Sequence, residues 1–189
     1  YDRARFLRFA GAVATLRDEY VRAEALLAQA AVASARLRSR PELAKCWLER
    51  GWLALRQGHF DRALAEYERA GRVFKRLGLP LQQAICTKNI GLLFSRRGDY
   101  DQALQATLAA LAAFRALGRR SDIGAGHLHI GNIYYYAGRW SAALAEYARA
   151  EAIYAEIGME GYQLIARRNR TMIYAEQHKP EAVHVLLDS

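Results

Sequence analysis

Histidine, cysteine and glycine are the residues of this chain whose chemistry bears testing first. Five histidines, His59, His127, His129, His178 and His184, could ligate a metal or move a proton. No His-Glu-x-x-His pairing occurs, and the adjacent-but-one pair His127 and His129 falls on different faces of any helix that carries it. Gly124-Ala125-Gly126, followed by Gly131, has the glycine density of a phosphate loop but lacks its Lys-Ser/Thr. No serine or cysteine stands in a nucleophile motif. The sequence therefore predicts a chain that is not an enzyme and needs neither metal nor cofactor.

The glycines have another explanation in the elements that carry them. Gly51, Gly91 and Gly131 are spaced by forty residues. The same spacing relates Gly58, Gly98 and Gly138, then Ala63, Ala103 and Ala143, then Ala70, Ala110 and Ala150, then Gly78, Gly118 and Gly158. Aromatic residues keep the register at Phe60, Tyr100 and Trp140 and at Phe74, Phe114 and Tyr154. A fixed period of this length is the signature of stacked repeats.

Each unit reads as two helices. In the second, residues 43–56 form one helix, Gly58 suits a left-handed cap, and a second helix runs from about Phe60 to Leu77. Ala63, Leu64, Tyr67, Ala70, Val73, Phe74 and Leu77 give that helix one apolar stripe. Glycine inside a helix costs roughly 1 kcal/mol relative to alanine. Its recurrence at Gly51, Gly91 and Gly131 predicts close helix approach, with Ala63, Ala103 and Ala143 facing the gap.

Leu128-x-x-Gly131-x-x-Tyr134, Gly138-Arg139-Trp140 and Ala143-x-x-x-Tyr147-x-x-Ala150 together resemble the tetratricopeptide repeat. The unit is six residues longer than that family's usual one and lacks its late proline. In this it resembles the long repeats of kinesin light chains, and the helical arms of bacterial signalling ATPases, maltose-activator-like regulators and CHAT proteases. The resemblance implies an all-α, right-handed superhelical solenoid of antiparallel helix pairs. Repeats fall at about 3–38, 43–78, 83–118 and 123–158, with a partial fifth at 162–189, in one domain over 1–189 cut from something longer. Asp18 replaces the turn glycine of the first repeat, and Pro180 would open the second helix of the fifth.

In tetratricopeptide arrays the first helix of each pair lines a concave groove. Carried onto this chain, that places Lys45, Trp52, Lys88, Asn89, Arg96, His129, Asn132, Tyr135, Tyr136, Arg168 and Asn169 along the groove as peptide-binding residues. Asn89, Asn132 and Asn169 could pair with the amides of an extended segment. The cations would attract carboxylates, and the aromatics would supply apolar contact. The implied partner is a protein or peptide bearing acidic and apolar residues. A carboxylate clamp is incomplete: Asn132 and Asn169 match its asparagines, but Leu128 stands in place of its lysine.

The formal charge of +9 favours acidic partners. A nucleic-acid reading ranks last, since no stacking or base-reading motif accompanies the charge. No segment is apolar enough to cross a bilayer and no signal-peptide pattern occurs, so a cytoplasmic protein without membrane contact is expected. Cys46 and Cys86 share one column with Gly126 and Ala166, which predicts buried, reduced thiols. The truncated fifth repeat should leave Tyr162, Ile165 and Ile173 uncovered and invite self-association. Two broad functions remain: an interaction module binding a partner in its groove, or a regulatory arm within a larger signalling protein.

Overall fold

A computed structural model describes residues 2–177 of the chain. The second helix expected in the fifth repeat, with Pro180, His178 and His184, lies outside the described residues. Among these the chain is all α, with nine helices. They are α1 (Asp2–Leu16), α2 (Tyr20–Arg36), α3 (Arg40–Arg56), α4 (Phe60–Arg76), α5 (Pro80–Arg97), α6 (Tyr100–Ala116), α7 (Arg120–Tyr136), α8 (Trp140–Glu156) and α9 (Glu160–Glu176).

The helices that open the repeats start about one turn earlier than their apolar pattern suggests. Arg40, Pro80, Arg120 and Glu160 are already helical. Pro41 and Pro80 are tolerated there because first-turn N–H groups have no intrahelical acceptor. Each break is closed by one residue in the left-handed region. Gly58 (φ 77°) and Gly78 (φ 63°) do this in the second repeat, while Asp18 (φ 60°) and Arg38 (φ 51°) take the same places in the first. Asp18 is held there by the Tyr20 hydroxyl, which donates to its Oδ1 at 2.6 Å, and by Arg56 at 2.6 Å.

The chain divides into two compact units, residues 1–97 and 98–189. The division falls between α5 and α6, inside the third repeat rather than at a repeat boundary. In the first unit, Ala14, Ala23, Leu27 and Leu53 form one buried cluster, and Ala44, Trp47, Ala70, Phe74 and Cys86 another. In the second unit, Ala143, Tyr147 and Ile173 pack together, as do Ala150, Tyr154 and Ala166. Cys46 and Cys86 are free and buried, and burial pushes the Cys86 thiol up to about 12.

The helix glycines do mark close approach, but their partner differs from the one expected. A Cβ on Gly51 would lie 2.6 Å from the Tyr67 ring, and one on Gly131 would lie 2.5 Å from the Tyr147 ring. At Gly11 it would meet the Leu27 side chain at 2.7 Å. The residue filling the gap is thus a large side chain one turn beyond Ala63 or Ala143; those alanines are buried elsewhere in the same seam. At Gly51 and Gly131 the glycine makes room for a ring, and at Gly11 for a leucine side chain.

The expected exposure of the fifth repeat is met in part. Tyr162 and Ile165 are exposed, and Tyr162 stacks on Tyr154 with ring centres 5.2 Å apart. Ile173 is fully buried, because it points into the Ala143–Tyr147 cluster rather than outward.

Candidate functional site

A groove of about 570 Å³ opens between α7 and α9 in the second unit. Leu128, Asn132, Tyr135 and Tyr136 form its α7 wall, and Ile165, Arg168, Asn169 and Met172 its α9 wall. Tyr147 of α8 reaches its floor. The helical spacing of three and four places each set on one side of its helix.

The polar groups at the centre form a connected set. The Tyr147 hydroxyl donates to Asn132 Oδ1 at 2.7 Å, and Asn169 Nδ2 donates to the same oxygen at 3.3 Å. Asn132 Oδ1 is thereby satisfied twice. The Asn132 amide N–H and the Asn169 carbonyl take no part in these bonds, which leaves one donor and one acceptor to suit a passing backbone amide. Burial pushes the Tyr147 phenol up, so it stays a donor at any physiological pH.

One end of the groove is aromatic. Tyr135 and Tyr136 meet edge to face, with centroids 5.3 Å apart at 70°. The Tyr135 hydroxyl donates to Glu176 Oε1 at 2.7 Å, a bond that raises its phenol above the ordinary range. Arg168 is exposed and makes no ion pair among the described residues. Its neighbours Arg167 and Arg170 are both held by Glu151, at 2.9 and 2.6 Å. Arg168 is the cation of α9 left available to an anionic ligand.

Five of the expected groove residues therefore meet at one site: Asn132, Tyr135, Tyr136, Arg168 and Asn169. His129 does not line it. Its Nδ1 lies 3.4 Å from Thr107 Oγ1, between α6 and α7. Lys45, Trp52, Lys88, Asn89 and Arg96 belong to the first unit. There Lys45 Nζ donates to Glu42 Oε1 at 2.7 Å, and Trp52 is half-buried against the cluster around Tyr67. Lys88 and Asn89 are half-buried and Arg96 is exposed. Tyr147 was missed as a site residue because it occupies a core column. The cue was available in its offset of sixteen from Gly131, the neighbour of Asn132.

Among the described residues no cluster of His, Cys, Asp and Glu could hold a metal ion, and no helix is long and apolar enough to cross a membrane. His127 is buried in a different network. Arg115, which can only donate, lies 3.2 Å from His127 Nε2, so that nitrogen accepts and Nδ1–H donates to Glu146 Oε2 at 2.6 Å. Glu146 is also bound by Arg149.

Helix pairs of this length, closed by left-handed residues and sealed by small-residue columns, make a tetratricopeptide-like helical-repeat fold. No protein-family model matches the chain, and no curated protein matches it. Solved structures do. A Rap protein complexed with Competence and Sporulation Factor is 18% identical, with a TM-score of 0.85 over 98% of this chain and 52% of its own. A signal-transduction ATPase with a tetratricopeptide repeat sensor from Pyrococcus horikoshii is 12% identical, with a TM-score of 0.81 over 97% of this chain and 28% of its own. A putative kinesin light chain from Podosopora anserina, built of nearly identical TPR-like repeats, is 15% identical, with a TM-score of 0.75 over 98% and 92%. The chain thus spans about half of the Rap protein and under a third of the ATPase. These likenesses establish the fold.

Proposed function

We propose that this chain is a protein-interaction module whose α7–α9 groove binds an extended partner segment carrying acidic and apolar residues. The observation that carries the reading is the Asn132–Asn169–Tyr147 set beside the unpaired Arg168. The amides match a peptide backbone, Arg168 matches a carboxylate, and Tyr135, Tyr136 and Met172 offer apolar contact. The structurally similar Rap protein, complexed with Competence and Sporulation Factor, supports a ligand-binding use of such an array. Lys88, Asn89 and Arg96 would extend recognition in the first unit. Buried reduced thiols at Cys46 and Cys86 fit a cytoplasmic setting.

A second reading is a regulatory arm inside a larger signalling protein, with the groove occupied by a segment of the same polypeptide. The similar ATPase, in which a tetratricopeptide repeat serves as sensor, favours it. Both readings leave catalysis to other chains or domains.

Affinity capture from lysate with mass spectrometry, comparing wild type with Asn132→Ala/Arg168→Glu, tests the groove. A partner recovered by wild type and lost from the variant is the expected result. Equal recovery from both would place recognition elsewhere and sink the groove assignment.

A further inference from the structure

We propose that the first unit holds a second binding site, between α3 and α5, for a partner segment that carries a carboxylate beside a large apolar side chain. It rests on the α7–α9 reading, whose groove supplies the template. One chain then takes two acidic–apolar motifs rather than one.

The groove recurs in the sequence at a spacing of eighty residues, not forty. Leu128, Tyr147, Ile165, Arg168 and Asn169 of the groove correspond to Leu48, Tyr67, Ile85, Lys88 and Asn89. The other repeats break the set. Leu27 and Thr107 hold the tyrosine column there, and Leu48 and Leu128 hold the place of the cation on the following first helix.

The two floors are built alike. Helices α3 and α5 touch within the first unit. A Cβ on Gly51 would lie 2.6 and 2.7 Å from Cε1 and Cδ1 of Tyr67, and one on Gly131 2.5 and 2.6 Å from the same atoms of Tyr147. Both rings are therefore seated the same way. The Tyr67 hydroxyl is aimed between α3 and α5 as that of Tyr147 is aimed between α7 and α9. The chain supplies an acceptor in only one of the two places. Tyr147 donates to Asn132, whereas Trp52 holds that column in the first unit. Tyr67 is fully buried, and its hydroxyl has no partner among the described residues. Burial keeps the phenol protonated, so it stays a donor. An oxygen brought by a ligand would complete it.

The surroundings select the group that carries that oxygen. Arg96 is exposed, makes no ion pair among the described residues, and its charge bears on the Tyr67 phenol. In the second unit Glu176 holds the same column, so the first site is the more cationic at this point. Glu49 also bears on the phenol, but it is turned to Arg8 at 3.6 Å, and burial pushes it toward its neutral form. A carboxylate thus meets a cation and an unused donor. Leu48, Trp52 and Leu92 are half-buried around Tyr67 and form an apolar wall, where the groove has Leu128, Asn132 and Met172. Trp52 must turn aside for the oxygen to reach the hydroxyl, and its ring then lies against the apolar side chain of the ligand.

The probe is an acetylated synthetic peptide amide of alternating aspartate and leucine, with an asparagine–leucine peptide as control. Each is titrated calorimetrically against wild type, Arg168→Glu, and Arg168→Glu combined with Tyr67→Phe or Arg96→Glu. The expected result is about two equivalents of the aspartate peptide on wild type and about one on Arg168→Glu. Tyr67→Phe and Arg96→Glu should each weaken that remaining site at least about ten-fold, as should the asparagine peptide. Tyr67→Phe keeps the ring in its seat and Arg96 is exposed, so both variants keep their helical circular dichroism. A single equivalent on wild type, abolished by Arg168→Glu, overturns the proposal and leaves the groove standing. A single equivalent that survives Arg168→Glu and is lost with Tyr67→Phe bears out the Tyr67 site and sinks the groove. A site on Arg168→Glu that is indifferent to Tyr67→Phe overturns the proposal, and no binding to wild type overturns both.

Discussion

The two units solve the same packing problem with different chemistry. At one position the first unit has Trp47 and the second, eighty residues on, has His127. Glu66 and Arg69 recur in the same way as Glu146 and Arg149. In the first unit Arg69 lies over the Trp47 ring at 3.9 Å, and Glu66 turns to Arg50 at 3.2 Å. In the second, Ile130 stands where Arg50 would be, so Glu146 turns instead to His127. One arginine-to-isoleucine difference redirects the carboxylate, and the ring beneath changes from an apolar stack to a hydrogen-bonded imidazole. A repeat fixes where helices go and leaves open what holds them together.

The largest effects should come from that pair. Trp47→Ala removes a ring buried among Ala44, Ala70 and Phe74, and should destabilise the first unit by about 3–5 kcal/mol. His127→Ala leaves Glu146 with Arg149 alone, and should cost the second unit about 1–3 kcal/mol. Hydrogen exchange resolved along the chain reads each unit separately. Losses of equal size would mean that the tryptophan stack and the imidazole network are energetically interchangeable, and would break the contrast.

A finer contrast lies in the two tyrosines that fill the space opposite Gly51 and Gly131. The Tyr147 hydroxyl has Asn132 as acceptor at 2.7 Å. Tyr67 has Trp52 in the corresponding place, and its buried hydroxyl has no partner among the described residues. Removing a satisfied buried hydroxyl costs about 1 kcal/mol, whereas removing an unsatisfied one is neutral or favourable. Tyr147→Phe should therefore lower the urea midpoint and Tyr67→Phe should hold or raise it. A loss for both would show that Tyr67 has an acceptor too.

These pairs mark what the sequence could and could not say. The forty-residue period exposed the helix pairs, their turns and the buried cysteine column, because those features depend on residue size and backbone conformation that recur at fixed offsets. The partner of each helix glycine was misjudged, since sequence spacing marks the gap but not which side chain leans into it. The groove was read from six columns at once, yet only one stretch carries the paired asparagines. Trp52 and Leu92 occupy the column of Asn132, and that exchange of amide for apolar side chain alters the site without disturbing the period. Ion pairs were least legible. Arg8 reaching Glu42 at 3.4 Å and Glu49 at 3.6 Å depends on rotamers of side chains more than thirty residues apart.

That last network yields the smallest effects and the clearest sign. Burial works against ionisation of Glu42, but the hydrogen bond and charge of Lys45 and the charge of Arg8 outweigh it and hold its carboxyl below the ordinary range. Glu49 on the same helix is pushed up by burial, which the Arg8 charge only partly offsets. A depressed carboxylate contributes stability that is present above its unfolded pKa of about 4.3 and is lost as pH falls through its lower folded value. A raised one favours the fold most below that unfolded value, and the advantage is lost as pH rises through its higher folded value. Glu42→Gln should thus weaken the first unit at neutral pH and make less difference in acid. Glu49→Gln should strengthen it at neutral pH, with the gain shrinking in acid. Urea midpoints of both variants across pH 3–8 measure the two signs. If both variants were weakened at neutral pH, the ion pair of Arg8 with Glu49 would be outweighing burial, and Glu49 would join Glu42 as a stabilising contact between α1 and α3.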